Sequence, residues 1–145
     1  MMMKKWLKQT KNEKGLTLVE LLAVVVILGI IAAIAVPSIG GIIENSKKDA
    51  AISNAQQVIS AARLYAAGGG DTVGDDDGIV NASEISDYHE TITDPWTKDE
   101  VETYTVTFEG TDLTPEISIE FTECNISEET AQTLSSKSRT EICGD

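Results

Sequence analysis

The stretch from Leu16 to Val36 constrains this chain more than any other. It holds 21 residues, and Glu20 is the only charged one among them. A bilayer core is matched by about 20 apolar residues in a helix, so the segment is long enough to span. Glu20 stands only four positions beyond Leu16. A carboxylate deep in hydrocarbon costs on the order of 2.5–3.5 kcal/mol on insertion scales and marks a functional position. Such a group calls for a cation at similar depth. If the chain were cut after Gly15, the new amino group of Leu16, on a neighbouring copy, would be that cation.

The residues before the span form a basic leader, with lysines at 4, 5, 8, 11 and 14 and a single acid, Glu13. The positive-inside rule keeps these lysines in the cytoplasm and places the C-terminal part outside. A conventional secretory signal is cut after its apolar run, at small residues, and Ala32-Ala33-Ile34-Ala35 has that composition. That scheme leaves Gly15 and Glu20 without a role, and the run is long for a signal core.

Lys14-Gly15-Leu16-Thr17-Leu18-Val19-Glu20, followed by the apolar run, resembles the leader and first helix of type IV pilins and of the related pseudopilins. The close resemblance covers Lys14 to Pro37. It implies cleavage by prepilin peptidase between Gly15 and Leu16 and N-methylation of Leu16, where the family most often has Phe. It also implies that Glu20 is the assembly glutamate and Pro37 the helix-kinking proline. The implied partners are further copies of the chain in a helical homopolymer, the peptidase, the assembly platform with its ATPase machinery, and the membrane before assembly. The implied location is the cytoplasmic membrane for the precursor and an extracellular filament on the cell surface for the product.

The expected architecture is α+β, a long N-terminal helix packed on a small antiparallel sheet. Residues 1–15 are the leader, 16–67 the long helix with 16–37 as its membrane and assembly part, and 68–145 the head. As continuous helix, 16–67 would extend about 78 Å at 1.5 Å per residue. Pro37 removes one helical hydrogen bond and Gly40-Gly41 adds weak positions, so a bend or loosened stretch is expected between Gly29 and Gly41. Gly29, Ala32, Ala33 and Ala35 suit close helix approach. From Ser38 onward, Ile52, Ala55, Ile59, Ala62 and Ala66 form one apolar stripe, with Val58 and Tyr65 alongside. Glu44, Lys47, Lys48, Asp49, Asn54, Gln57 and Arg63 lie mostly off it, and Gly68-Gly69-Gly70 ends the helix.

Within the head, Asp71 to Glu84 has the spacing of a calcium loop. With Gly78 as the turn glycine, Asp75, Asp77, Asn81 and Glu84 fall at ligand positions. The first position is Val73, which cannot ligate, so Asp71 or Asp76 would have to substitute. A solvated acidic turn is the simpler alternative. Ser83 to Tyr88 reads as a short helical turn, and Asp94-Pro95-Trp96 resembles the turn before the sheet in pseudopilins and simple pilins, with Trp96 as a packing residue. His89 reads as a surface or edge residue. Tyr104, Val106 and Phe108 alternate with polar residues, as do Ile117, Ile119 and Phe121, giving two half-buried strands. A third strand is expected near 90–93 or 141–143. Ser127 followed by Glu128 and Glu129 reads as a helix N-cap with acids in the first turn. Cys124 and Cys143, in a part expected outside the membrane, favour a disulfide over a metal site, which needs more ligands. Asn81-Ala82-Ser83 and Asn125-Ile126-Ser127 match the glycosylation triplet.

The full chain carries a formal charge of −13. Without residues 1–15, six Lys/Arg face 23 Asp/Glu, a side-chain charge of −17. Affinity for nucleic acid rests on Lys/Arg neutralising phosphates, so direct DNA binding by this surface is disfavoured. There is no Ser/His/Asp set and no phosphate-binding glycine loop. The reading is a structural filament subunit, not an enzyme. Two alternatives stay open: a pseudopilin of type II secretion or of a competence DNA-uptake pseudopilus, and a membrane-tethered, calcium-responsive binding domain.

Overall fold

The computed structural model describes residues 17–70, 78–109 and 114–144. Helix α1 runs from Leu18 to Ala67, followed by β1 (Ile79–Asn81), α2 (Ala82–Ile85) and a 3-10 turn (Ser86–Tyr88). Strands β2 (Tyr104–Glu109), β3 (Thr114–Phe121) and β4 (Cys124–Thr130) come next, then α3 (Ala131–Ser136) and α4 (Arg139–Cys143). The four strands form one antiparallel sheet in the order β1-β2-β3-β4. This is the α+β architecture of type IV pilins. The chain divides into two compact units, Met1–Gly40 and Gly41–Asp145.

In the first unit, the large apolar side chains of α1 are all exposed. The helix assignment continues through Pro37 and Gly40-Gly41, so the loosening expected there is not a break in the helix. One missing N–H weakens a helix without ending it.

The second unit holds the core. Ala51, Ala55, Val58, Ile59, Ala61 and Ala62 of α1 share one buried cluster with Val106, Ile117, Ile119, Phe121 and Ile126 of the sheet. The alanines bring the helix backbone close to the sheet, while Ile59, Ile117 and Ile126 fill the volume. Burying each of these isoleucines contributes about 1.5–3 kcal/mol. The alternation read in β2 and β3 is the observed one, with Tyr104, Val106, Phe108, Ile117, Ile119 and Phe121 all buried. Helix α1 stops where the glycines begin. Gly70 N–H donates to the Tyr65 carbonyl and Gly69 N–H to that of Ala66, with Gly69 at φ 87°. This is a Schellman ending, which requires a left-handed residue. A Cβ on Gly70 would lie 2.5 Å from the Tyr65 ring, so that position also admits only glycine without a shift of the ring.

Four expectations need correction or completion. Residues 90–93 are not a strand; Thr93 makes a single bridge to Glu100. Residues 141–143 belong to α4. The missing strands are β1 and β4, and β4 takes Ser127 to Thr130, whose local sequence reads as a helix start. Ile126 is fully buried and pairs with Ile119, and this long-range ladder overrides the local cap signature. The cap moves to Thr130, whose hydroxyl accepts from Thr133 N–H at 3.2 Å. Lys48 is not on a solvated face. It is 8% exposed, and its ammonium donates to the Gly144 carbonyl at 2.7 Å.

The β3–β4 register shifts between Ile117 and Ile119. Opposite this irregularity Glu128 has φ 54°, with its N–H donating to Ser118 Oγ. A left-handed L-residue costs about 1–2 kcal/mol, whereas glycine loses about 0.5–1 kcal/mol through chain entropy. Glu128→Gly is therefore expected to stabilise the full-length protein slightly, raising Tm by a few degrees in a detergent melt. A lower Tm would show that the carboxylate side chain contributes more than the backbone conformation costs.

Candidate processing and assembly segment

The start of α1 is built by two residues. The Thr17 carbonyl accepts from Leu21 N–H, making Thr17 the N-cap. Glu20, at the third helical position, reaches back. Its Oε2 accepts from Thr17 N–H at 2.8 Å and from Thr17 Oγ1 at 2.9 Å, while Glu20 N–H donates to Thr17 Oγ1 at 3.2 Å. This is a reciprocal capping box, and it places a carboxylate against the positive end of the helix dipole. Both contacts from Thr17 fall on Oε2. Among the described residues, Oε1 receives no donor, so that oxygen is open to a further cation or N–H. The signal for this arrangement was present as Thr-x-x-Glu ahead of an apolar run. Reading Glu20 only as a charge seeking an outside partner missed Thr17.

Beyond the cap the helix presents apolar side chains on every side. Leu18 is 86% exposed, and even Val24, the least exposed large apolar residue of this stretch, is 48% exposed. α1 is long and apolar enough to cross a membrane, and its most apolar window has no residue buried within the chain. A helix that is hydrophobic all round is stable only when lipid or other helices cover it. Gly15 and Leu16 lie outside the described residues.

The head residues singled out by sequence sort differently. Cys124 and Cys143 form a disulfide with Cα atoms 4.3 Å apart, and it ties α4 to the start of β4. Of the calcium-loop positions, Asp71, Val73, Asp75, Asp76 and Asp77 lie outside the described residues. Asn81 and Glu84 are described, and they form the capping box of α2. Glu84 Oε2 accepts from Asn81 N–H at 2.7 Å, and Tyr65 donates to Oε1 at 3.4 Å. Among the described residues, no three His, Cys, Asp or Glu side chains converge as metal ligands.

Trp96 packs against the core, and its indole N–H donates to Glu44 of α1 at 2.8 Å. Asp94, two residues before it in the motif, carries more of the structure than its sequence context suggests. It is 6% exposed. Its Oδ1 accepts from the N–H groups of Trp96 and Thr97, and its Oδ2 from the N–H and hydroxyl of Thr122, at 2.7 to 3.3 Å. Burial works to raise the Asp94 carboxyl pKa. The hydrogen bonds from Trp96, Thr122 and Thr97 outweigh it and hold the group below the ordinary carboxylate range. One side chain thus closes the 92–101 turn and fastens it to the β3–β4 hairpin.

A membrane-length exposed apolar stretch of α1, a helix-on-sheet head and a C-terminal disulfide together fit the α+β architecture of type IV pilins. A family model described as the prokaryotic N-terminal methylation motif matches residues 10–36. The match covers the end of the leader, the junction at Gly15 and the apolar run, and it indicates a type IV pilin-like class III signal peptide in this part of the chain. Neither the curated proteins nor the solved structures contain a match. Pilin-type proteins are structural and not enzymatic.

Proposed function

We propose that this chain is the structural subunit of a type IV pilus. Prepilin peptidase cuts between Gly15 and Leu16, Leu16 is N-methylated, and the product polymerises through residues 16–37 into a surface filament. The observation that carries this reading is the methylation motif at 10–36 running into the exposed apolar part of α1, whose one carboxylate, Glu20, has an oxygen without a donor among the described residues. In the filament, Glu20 pairs with the Leu16 ammonium of a neighbouring copy. That pairing offsets the desolvation of both charges and sets axial register, since only one stagger brings them together. The head, with its acidic surface and disulfide, faces solvent.

The test is the intact mass and N-terminal sequence of protein sheared from cells. A chain starting at methylated Leu16, recovered in long fibres, is the expected result. A chain starting at Met1, or cut after the apolar run, would overturn the reading. Processed chain without long fibres would assign it to a pseudopilus instead. Gly15→Leu adds a second arm. The bulky side chain at the cut position should leave the 15.6 kDa precursor uncut in the membrane and abolish fibres. Normal processing of that variant would remove the leader assignment.

A further inference from the structure

His89, the only histidine of the chain, is bonded through both ring nitrogens. Its Nδ1 lies 2.6 Å from the Glu90 carbonyl oxygen and its Nε2 2.5 Å from the Tyr104 hydroxyl. A carbonyl only accepts, so Nδ1 carries the hydrogen. In the neutral ring Nε2 is then an acceptor, and the Tyr104 hydroxyl donates to it. Protonation makes Nε2 a second donor. The hydroxyl must then accept from the ring and direct its own hydrogen elsewhere. Tyr104 is 5% exposed, which leaves little access to bulk water.

The alternative acceptors are close at hand. A cavity of about 260 Å³ beside the pair is lined by His89, Tyr104, Glu100, Glu102, Ser83 and Ser86, among others, and by no Lys or Arg among the described residues. A carboxylate is a stronger acceptor for an O–H than a neutral hydroxyl. Burial, and secondarily the charge of Glu100, push the Tyr104 phenol up, which keeps it a donor in the neutral range. Among the described residues, the titratable groups that line the cavity with His89 are Glu100, Glu102 and Tyr104, and Asp87, Tyr88 and Glu90 flank it in sequence; the charged ones of these are acidic.

We propose that protonation of His89 reverses the His89–Tyr104 hydrogen bond and draws the Glu100–Glu102 wall of the cavity onto the Tyr104 hydroxyl, a pH-operated clasp between the α2–turn segment and β2. Neutral His89 leaves the cavity open, and protonated His89 closes it. The device does not depend on filament assembly, because every group belongs to one head.

The test uses the full-length chain in detergent, purified without a histidine tag and labelled with ¹⁵N and ¹³C, so that one imidazole is observed. The expected result is the Nδ1–H tautomer at pH 8, with amide resonances of Glu100 to Tyr104 shifting at the same midpoint as the imidazole. In Glu100→Ala/Glu102→Ala that shared midpoint should be lost while the Nδ1–H tautomer stays. Both substitutions are at exposed positions, so the variant is expected to fold. In Tyr104→Phe the coupling should be lost as well. An Nε2–H tautomer at pH 8, resonances of 100–104 that ignore the imidazole midpoint, or a double variant that keeps it would each overturn the proposal.

Discussion

Cells producing the Glu20→Val chain are expected to contain membrane-inserted protein at wild-type levels and almost no sheared fibre. The substitution leaves the span apolar, so insertion is not impaired. What it removes is the only side-chain charge between Leu16 and Val36, and with it the partner proposed for the Leu16 ammonium of a neighbouring copy. Truncating one member of a buried ion pair costs about 3–5 kcal/mol because the other charge is left uncompensated. Each 1.4 kcal/mol is about tenfold in an equilibrium constant, and the loss recurs at every subunit of a polymer. The capping box complicates this substitution, because a valine side chain cannot accept the bonds that Thr17 donates to Glu20. Glu20→Gln separates the two effects, since a glutamine at this position can keep a capping box but carries no charge. Loss of fibres in both variants assigns the requirement to the charge. Wild-type fibre yield in Glu20→Gln would mean that helix capping is the role of Glu20 and that ammonium pairing is not needed.

Asp94→Ala is expected to be a strongly damaging change in the head, lowering stability by about 2–4 kcal/mol because four part-buried hydrogen bonds, from Trp96, Thr97 and Thr122, lose their acceptor. Asp94→Asn keeps one acceptor oxygen and should lose roughly half as much. The pH dependence has a definite sign. A carboxyl whose folded pKa lies below its unfolded value contributes stability that is present above the unfolded pKa, about 3.9 for Asp, and is lost as pH falls through the folded one. Wild-type protein should therefore weaken on acidification below about pH 4, and Asp94→Asn should lack that component. Denaturation of the full-length chain in detergent, followed from pH 7 to pH 3, reads both effects. An Asp94→Ala variant as stable as wild type would mean that the 92–101 turn is held by Trp96 and the backbone alone.

Much of the fold was legible because the signals were local. The length and purity of the apolar run, the alternation in β2 and β3, the alanine-rich stripe of α1 and the glycine triplet each state their structure within one or two turns of chain. The C-terminal third was harder to read. Ser127 with Glu128 and Glu129 is a fair helix start in isolation. It became a strand because β3 offered a hydrogen-bonding edge and a buried place for Ile126. The bulge at Glu128 carries no glycine to announce it.

The candidate site divides the same way. The order of Gly15, Leu16 and Glu20 along the chain lies within the match at residues 10–36, and Pro37 follows directly after it. Thr17 was visible as a capping signature but needed the helix start to give it meaning. The amino-acid sequence by itself determined the span, the motif, the end of α1 and the acidic character of the head, because each depends on neighbours a few residues away. Only the tertiary structure decided that Lys48 is buried against Gly144, that Asp94 fastens a turn to Thr122, and that His89 meets Tyr104. Those pairs lie 96, 28 and 15 residues apart. A polar side chain shows no local sign of which distant backbone or hydroxyl will satisfy it once water is excluded.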